Sequence, residues 1–90
     1  MGTETTPEFD IKLYPVPTRS HLNIDININT SEKVYIQVVD MAGRVMKENF
    51  YSLTNGFNTV KISVGDLIDG QYFIRMRLKE NVVTEKFSKF

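Results

Sequence analysis

Apolar residues recur at every second position along most of this chain. Residues 20–28 show the alternation most fully: Leu22, Ile24, Ile26 and Ile28 are separated by Asn23, Asp25 and Asn27. A period of two sends the apolar set to one face of an extended strand and the polar set to the other, which predicts an outer antiparallel strand with one wet face. The same reading gives a strand over 9–13 with Phe9, Ile11 and Leu13 inward, and one over 33–40 with Val34, Ile36 and Val38 inward. Tyr35 and Val39 suggest partial cover on the opposite face of that strand. Further strands are predicted over 44–51, over 57–64 (Val60, Ile62 and Val64 inward) and over 70–78 (Tyr72, Ile74, Met76 and Leu78 on one face, Phe73, Arg75 and Arg77 on the other). The last covers 82–90, where Val83, Glu85 and Phe87 share a face. No stretch carries a helical period.

The connections have turn chemistry. In Asp40-Met41-Ala42-Gly43-Arg44 an Asp can bond its own downstream backbone and a Gly tolerates positive φ, which predicts a type I turn closed by a left-handed Gly43. Residues 29–32 and 79–81 are turns, and Asn55-Gly56 is a turn signal. Residues 65–70 are too few for an ordinary helix and should form a tight turn with Leu67 plugging the edge of the core. Pro15 and Pro17 lack the N–H a central ladder needs, so Tyr14-Pro15-Val16-Pro17-Thr18 should cross between sheets or lie at an edge. Seven short strands with short links predict an all-β fold: an antiparallel β-sandwich, immunoglobulin-like or Greek key, without the Cys…Trp…Cys of true immunoglobulin domains.

Ninety residues make one domain, burying roughly 60% of its unfolded surface. Residues 1–8 are polar, end near Pro7, and read as a linker or tag ahead of a domain over 9–90. Eleven basic and eleven acidic residues cancel, which argues against nucleic acid or a polybasic membrane surface as partner. The first six residues have neither the basic start nor the apolar stretch of a secretory leader, so any leader is expected on a larger parent chain. Gly2 and Thr6 fit the loose myristoylation pattern, which such a short motif meets by chance.

Candidate chemistry is sparse. His21 is the single histidine and there is no cysteine, so no zinc set of the usual kind can be assembled. Asp66 and Asp69 hint at calcium but lack the EF-hand spacing and read better as turn formers. Ser20 adjoins His21, but strand neighbours point to opposite faces, which speaks against a catalytic pair. No enzyme activity, metal or cofactor is expected. Asn29-Thr30-Ser31 is a formal glycosylation triplet of the kind chance supplies. Arg75, Arg77, Lys79, Lys86 and Lys89 fall on the last two strands and would form a modest basic stripe if those strands pair. Such a stripe is either a solvated face or an electrostatic docking face.

Four stretches follow one another, the first three at similar intervals: Leu13-Tyr14-Pro15-Val16-Pro17-Thr18, then Val39-Asp40-Met41-Ala42-Gly43-Arg44-Val45, then Leu67-Ile68-Asp69-Gly70-Gln71-Tyr72-Phe73-Ile74-Arg75, and a closing Lys86-Phe87-Ser88-Lys89-Phe90. In this order the chain, from about residue 9 to 90, resembles the type A C-terminal sorting domain of the type IX (Por) secretion system of Bacteroidota. The family's first motif usually has Asn between the two prolines, where this chain has Val16, which lacks the Asn side chain's ability to cap a local turn. The resemblance implies a seven-stranded immunoglobulin-like address label on an N-terminal cargo domain. It also implies an exported product: periplasm in transit, then cell surface or medium. The implied partners are an outer-membrane translocon and a sortase-like peptidase that removes the label and can attach the cargo to lipopolysaccharide.

Within that resemblance, Lys86, Phe87, Ser88, Lys89 and Phe90 are the expected recognition signal. Lys86, Lys89, Phe90 and the chain terminus supply contacts, and Phe87 is an alternative core residue. Tyr14, Pro15, Pro17, Asp40, Gly43, Arg44, Gly70 and Tyr72 are expected to be mainly structural. Exchange of Lys86 and Lys89 for Glu is then expected to block export with little change in thermal midpoint. Residues 1–8 are the expected site of cleavage, and self-association through an edge strand is open. The competing reading is an adhesion or carbohydrate-binding module, for which Tyr14, Tyr35, Tyr51 and Phe57 would have to cluster.

Overall fold

The computed structural model describes residues 9–79 and 81–90. Its strands are β1 (Phe9–Tyr14), β2 (His21–Ile28), β3 (Glu32–Asp40), β4 (Val45–Leu53), β5 (Gly56–Ser63), β6 (Gly70–Arg77) and β7 (Val82–Lys89). There is no helix among the described residues. The strands form two antiparallel sheets, one of order β1-β2-β5 and one of order β4-β3-β6-β7. This is the expected immunoglobulin-like sandwich. β4 stays beside β3 instead of joining β5, which is where a constant-type immunoglobulin domain places its fourth strand.

The alternating positions build the core. Leu22, Ile24, Ile26 and Ile28 of β2 face Val34, Ile36 and Val38 of β3 and Tyr72, Ile74 and Met76 of β6 across the interior, and Val60 and Ile62 of β5, with Val64 just after it, close it. Leu67 is buried where the turn after β5 bonds Leu67 N–H to the Val64 carbonyl at 3.0 Å, so it fills the core edge as expected. Val39 is buried on the opposite face of β3, in register with Val45 and Phe73, which covers that face more than the alternation alone would. β4 runs on past residue 51 to Leu53, because Leu53 is buried and pairs with Glu32. The 1–8 linker and the cleavage expected there lie outside the described residues.

Residues 15–20 leave the three-stranded sheet at Tyr14, touch the edge of the other sheet, and return to start β2. The contact is made by Thr18, which is fully buried. Its N–H donates to the Ser88 carbonyl at 2.9 Å and its carbonyl accepts from Phe90 N–H at 2.9 Å. Thr18 Oγ1 donates to the His21 carbonyl, tying the return to the first residue of β2. The crossover is therefore both of the expected alternatives at once, a passage between sheets and an edge segment.

Candidate recognition site

Strand register gathers the spaced motifs at one end of the four-stranded sheet. Asp40 on β3 lies opposite Tyr72 on β6, and Tyr72 lies opposite Phe87 on β7. Gly70 lies opposite Lys89, and Lys89 is bridged in turn to Thr18. Stretches that follow one another at intervals along the chain thus become neighbours in one layer.

The Asp40 hairpin forms as its chemistry dictates. Asp40 N–H donates to the Arg44 carbonyl at 2.9 Å, Gly43 N–H donates to the Asp40 carbonyl at 3.0 Å, and Gly43 sits at φ +89°. The Asp40 carboxylate accepts from Ala42 N–H at 2.9 Å and Arg44 N–H at 2.8 Å through one oxygen, and from Arg44 Nε at 2.8 Å through the other. The Arg44 backbone bond, then the Arg44 side chain and the Ala42 amide, hold this carboxyl below the usual range. A bulge at Val38/Val39 leaves an extra residue on β4 beside the turn and raises the local twist.

Tyr72 and Phe87 stack with ring centroids 5.8 Å apart and both are buried. The Tyr72 hydroxyl donates to the Ile68 carbonyl four residues upstream, the arrangement of a tyrosine corner, in which a polar tip anchors the loop that feeds its own strand. Gly70 is different. Its backbone is not left-handed and an added Cβ would meet nothing within 4 Å, so neither space nor conformation demands a glycine there.

The closing stretch splits by parity. Phe87 is core, packed on Tyr72. Lys86 is exposed on the outer face opposite Phe73, Ser88 is half-buried, and Phe90 is 60% exposed. Lys89, expected to offer a surface charge, is only 6% exposed. Its ammonium donates to the Leu67 carbonyl at 2.7 Å and lies 3.4 Å from Asp69 Oδ1. The reason is the period of two: Lys86 and Lys89 are three positions apart on one strand and must point to opposite faces. Exchanging both for Glu would therefore alter a surface charge and a buried anchor together, and an unchanged midpoint is no longer expected of the double variant.

The same parity thins the basic stripe. Arg75 and Arg77 share the outer face with Thr84 and Val82 and with Lys86 nearby, while Lys89 leaves it. Lys79 lies beyond β6, with its N–H bonded to Glu32 Oε1 at 2.8 Å. Ser20 and His21 do meet, at 3.2 Å from Oγ to Nδ1, because Ser20 precedes β2 and strand alternation does not govern it. They border an open cavity of ≈ 490 Å³ whose charged neighbours are Arg19 and Lys61. Among the described residues no carboxylate bonds the ring to complete a triad. Asp66 pairs with Lys47 at 3.0 Å and Asp69 with Lys89, so each carboxylate serves its own lysine.

The four aromatics of the competing reading do not gather. Tyr14 and Phe57 stand at opposite edges of the three-stranded sheet, opposite Asn23 and Asn27. Tyr35 packs on Phe50 at 4.8 Å in the other sheet, and Tyr51 rests against the core. Tyr14 donates to Asp25 at 2.9 Å, and Asp25 also accepts from Thr59 at 2.9 Å, so one carboxylate joins all three strands of that sheet. Sequence reasoning missed Thr18, Leu67 and Asp69 as partners of the tail. The one available signal was Thr18 following Pro17, since a residue after proline at a sheet edge is the first able to donate.

No curated protein matches the chain at a significant level. The family model described as the secretion system C-terminal sorting domain matches residues 12–89, which takes in the first three motif stretches and all of the fourth but Phe90. A sorting domain implies a cargo N-terminal to it, the type IX machinery, and export toward the cell surface or the medium. The family is a sorting signal and not a catalytic domain. The chain belongs to the family of secretion system C-terminal sorting domains and is a sorting signal for type IX secretion.

Proposed function

We propose that the label is read in its folded form, at the end of the sandwich where the motifs converge, by the outer-membrane translocon after passage through the periplasm. Lys86, Ser88 and Phe90 make the contacts, while Phe87 and Lys89 hold the strand that presents them. The observation that carries this reading is the split of β7 into an outward set and a buried set. Asp40, Gly43, Arg44 and Tyr72, with the Tyr14-Pro15 and Pro17 crossover, build the end that frames it. A sortase-like peptidase then separates label from cargo within residues 1–8, ahead of the first strand. The domain itself performs no catalysis. Self-association, where it occurs, uses the β4 edge, on which Val45, Met46 and Phe50 are exposed.

The test is export of a fluorescent reporter carrying a signal peptide and residues 9–90 in a bacterium with a type IX system. Deleting residues 86–90 would remove Phe87 from the core and confound folding with recognition, so single exchanges are used. Lys86→Glu and Phe90→Ala should retain the fold and hold the reporter in the periplasm. Normal export of both would remove the outward set from the reading.

A further inference from the structure

The outer edge of β7 is paired only at its far end. Ser88 C=O and Phe90 N–H point away from β6 toward Thr18. Backbone groups of alternate residues share a direction, so the N–H and C=O of Val82, Thr84 and Lys86 point the same way. Among the described residues no backbone group reaches these from outside the sheet. Thr18 shows that this edge accepts a neighbour and fixes where a longer one must stop. Its own bridge stops there: Val16, whose backbone groups alternate with those of Thr18, makes no backbone bond to β7, and on the other side the chain is drawn back to His21. An open run of about 16 Å remains at ~3.3 Å per residue.

The flanking chemistry selects an occupant. On the outer face of the sheet Lys86 sits on β7 itself, with Arg75 and Arg77 behind it on β6, opposite Thr84 and Val82. On that face of β3 and β4 the described carboxylate is Glu48, opposite Gln37, and it is engaged as acceptor from the Tyr35 hydroxyl. Glu85 belongs to the other face, with Val83 and Phe87. A second copy of β7 would present Val82, Thr84, Lys86 and Ser88 there and would bring no carboxylate.

We propose that the edge of β7 from Val82 to Lys86 is a strand-addition site for an extended partner segment bearing carboxylate side chains at alternate positions. The segment extends the four-stranded sheet outward, its backbone bonding Thr84 and Lys86 and its carboxylates facing Lys86 and Arg75. The proposal rests on the sorting reading only for which protein supplies the segment.

The experiment measures amide hydrogen exchange of the labelled domain with a capped peptide, Thr-Glu-Val-Glu-Val-Glu-Thr, and with its counterpart carrying Lys for Glu. The acidic peptide at about 1 mM should slow exchange at Thr84 and Lys86 by about tenfold, and the basic one should not. Thr84→Pro removes an N–H that lies outside the β6 ladder, so it should keep its thermal midpoint and lose the effect. Lys86→Glu, a surface exchange, should shift the preference toward the basic peptide. No slowing at about 5 mM, equal slowing by both peptides, or slowing that persists in Thr84→Pro would overturn the proposal. Protection of the same amides that rises with protein concentration alone would overturn it in favour of a second copy. Failure leaves the sorting reading intact, since that reading is tested by export and not by this peptide.

Discussion

Lys89 is anchored to Leu67: its buried ammonium donates to the Leu67 carbonyl at 2.7 Å, joining the last strand to the turn between β5 and β6. Lys86, three residues earlier, is exposed. Glu at 89 would bury an anion against a carbonyl oxygen and beside Asp69. Lys89→Glu should therefore cost about 3–5 kcal/mol, the range for breaking a buried charge contact. Lys86→Glu should stay within about 0.5 kcal/mol. Urea unfolding of the two variants checks the contrast, and near-equal midpoints would show that Lys89 is not an anchor.

Phe87→Ala removes a side chain stacked on Tyr72 and buried in the core, and should cost about 3–5 kcal/mol. Tyr72→Phe keeps the stack and loses only the hydroxyl bond to Ile68, for about 1 kcal/mol. Thermal unfolding of both variants should rank them in that order.

Two motif glycines should behave unlike each other. Gly43 lies at φ +89° in open space, so Gly43→Ala should cost about 1–2 kcal/mol through backbone conformation alone. Gly70→Ala meets neither strain nor a neighbour and should fall within about 0.5 kcal/mol of the parent. A large loss at residue 70 without loss of export would point to an effect outside the folded state.

Acid should weaken the fold through Asp40 and Asp66. The Arg44 bonds depress one carboxyl and the Lys47 bond depresses the other. A carboxyl depressed on folding stabilises above its unfolded value of about 3.9, and that contribution fades as pH falls through the folded value. Asp40→Asn should be less stable at neutral pH, and the gap should close below about pH 4. Melting curves across that range decide it.

Alkali should act through Tyr14 and Tyr35. Their bonds to Asp25 and Glu48, respectively, are the main reason both phenols titrate above their ordinary range. A phenol raised on folding stabilises up to its unfolded value of about 10 and loses that contribution as pH climbs further. Tyr14→Phe and Tyr35→Phe should each flatten the decline in stability above about pH 10. Phenolate absorbance of the folded domain should show both groups titrating late.

The chain's own pattern was enough for every strand, the inward sets from Ile11 onward, the Asp40–Gly43 turn and the family; the inward placement of Phe9 lies outside the described side chains. Each depends on local facts: a side-chain period of two, a carboxylate that bonds the next few amides, an N–H that proline lacks. Which strands become neighbours is not local. Only tertiary structure set Asp40 beside Tyr72, Tyr72 beside Phe87 and Lys89 beside Thr18, because register is fixed by burying whole apolar faces against each other. It also decided the tail. Parity alone separates Lys86 from Lys89, but only the packed turn at Leu67 and Asp69 makes the inward lysine an anchor, by giving its ammonium a carbonyl and a carboxylate to meet.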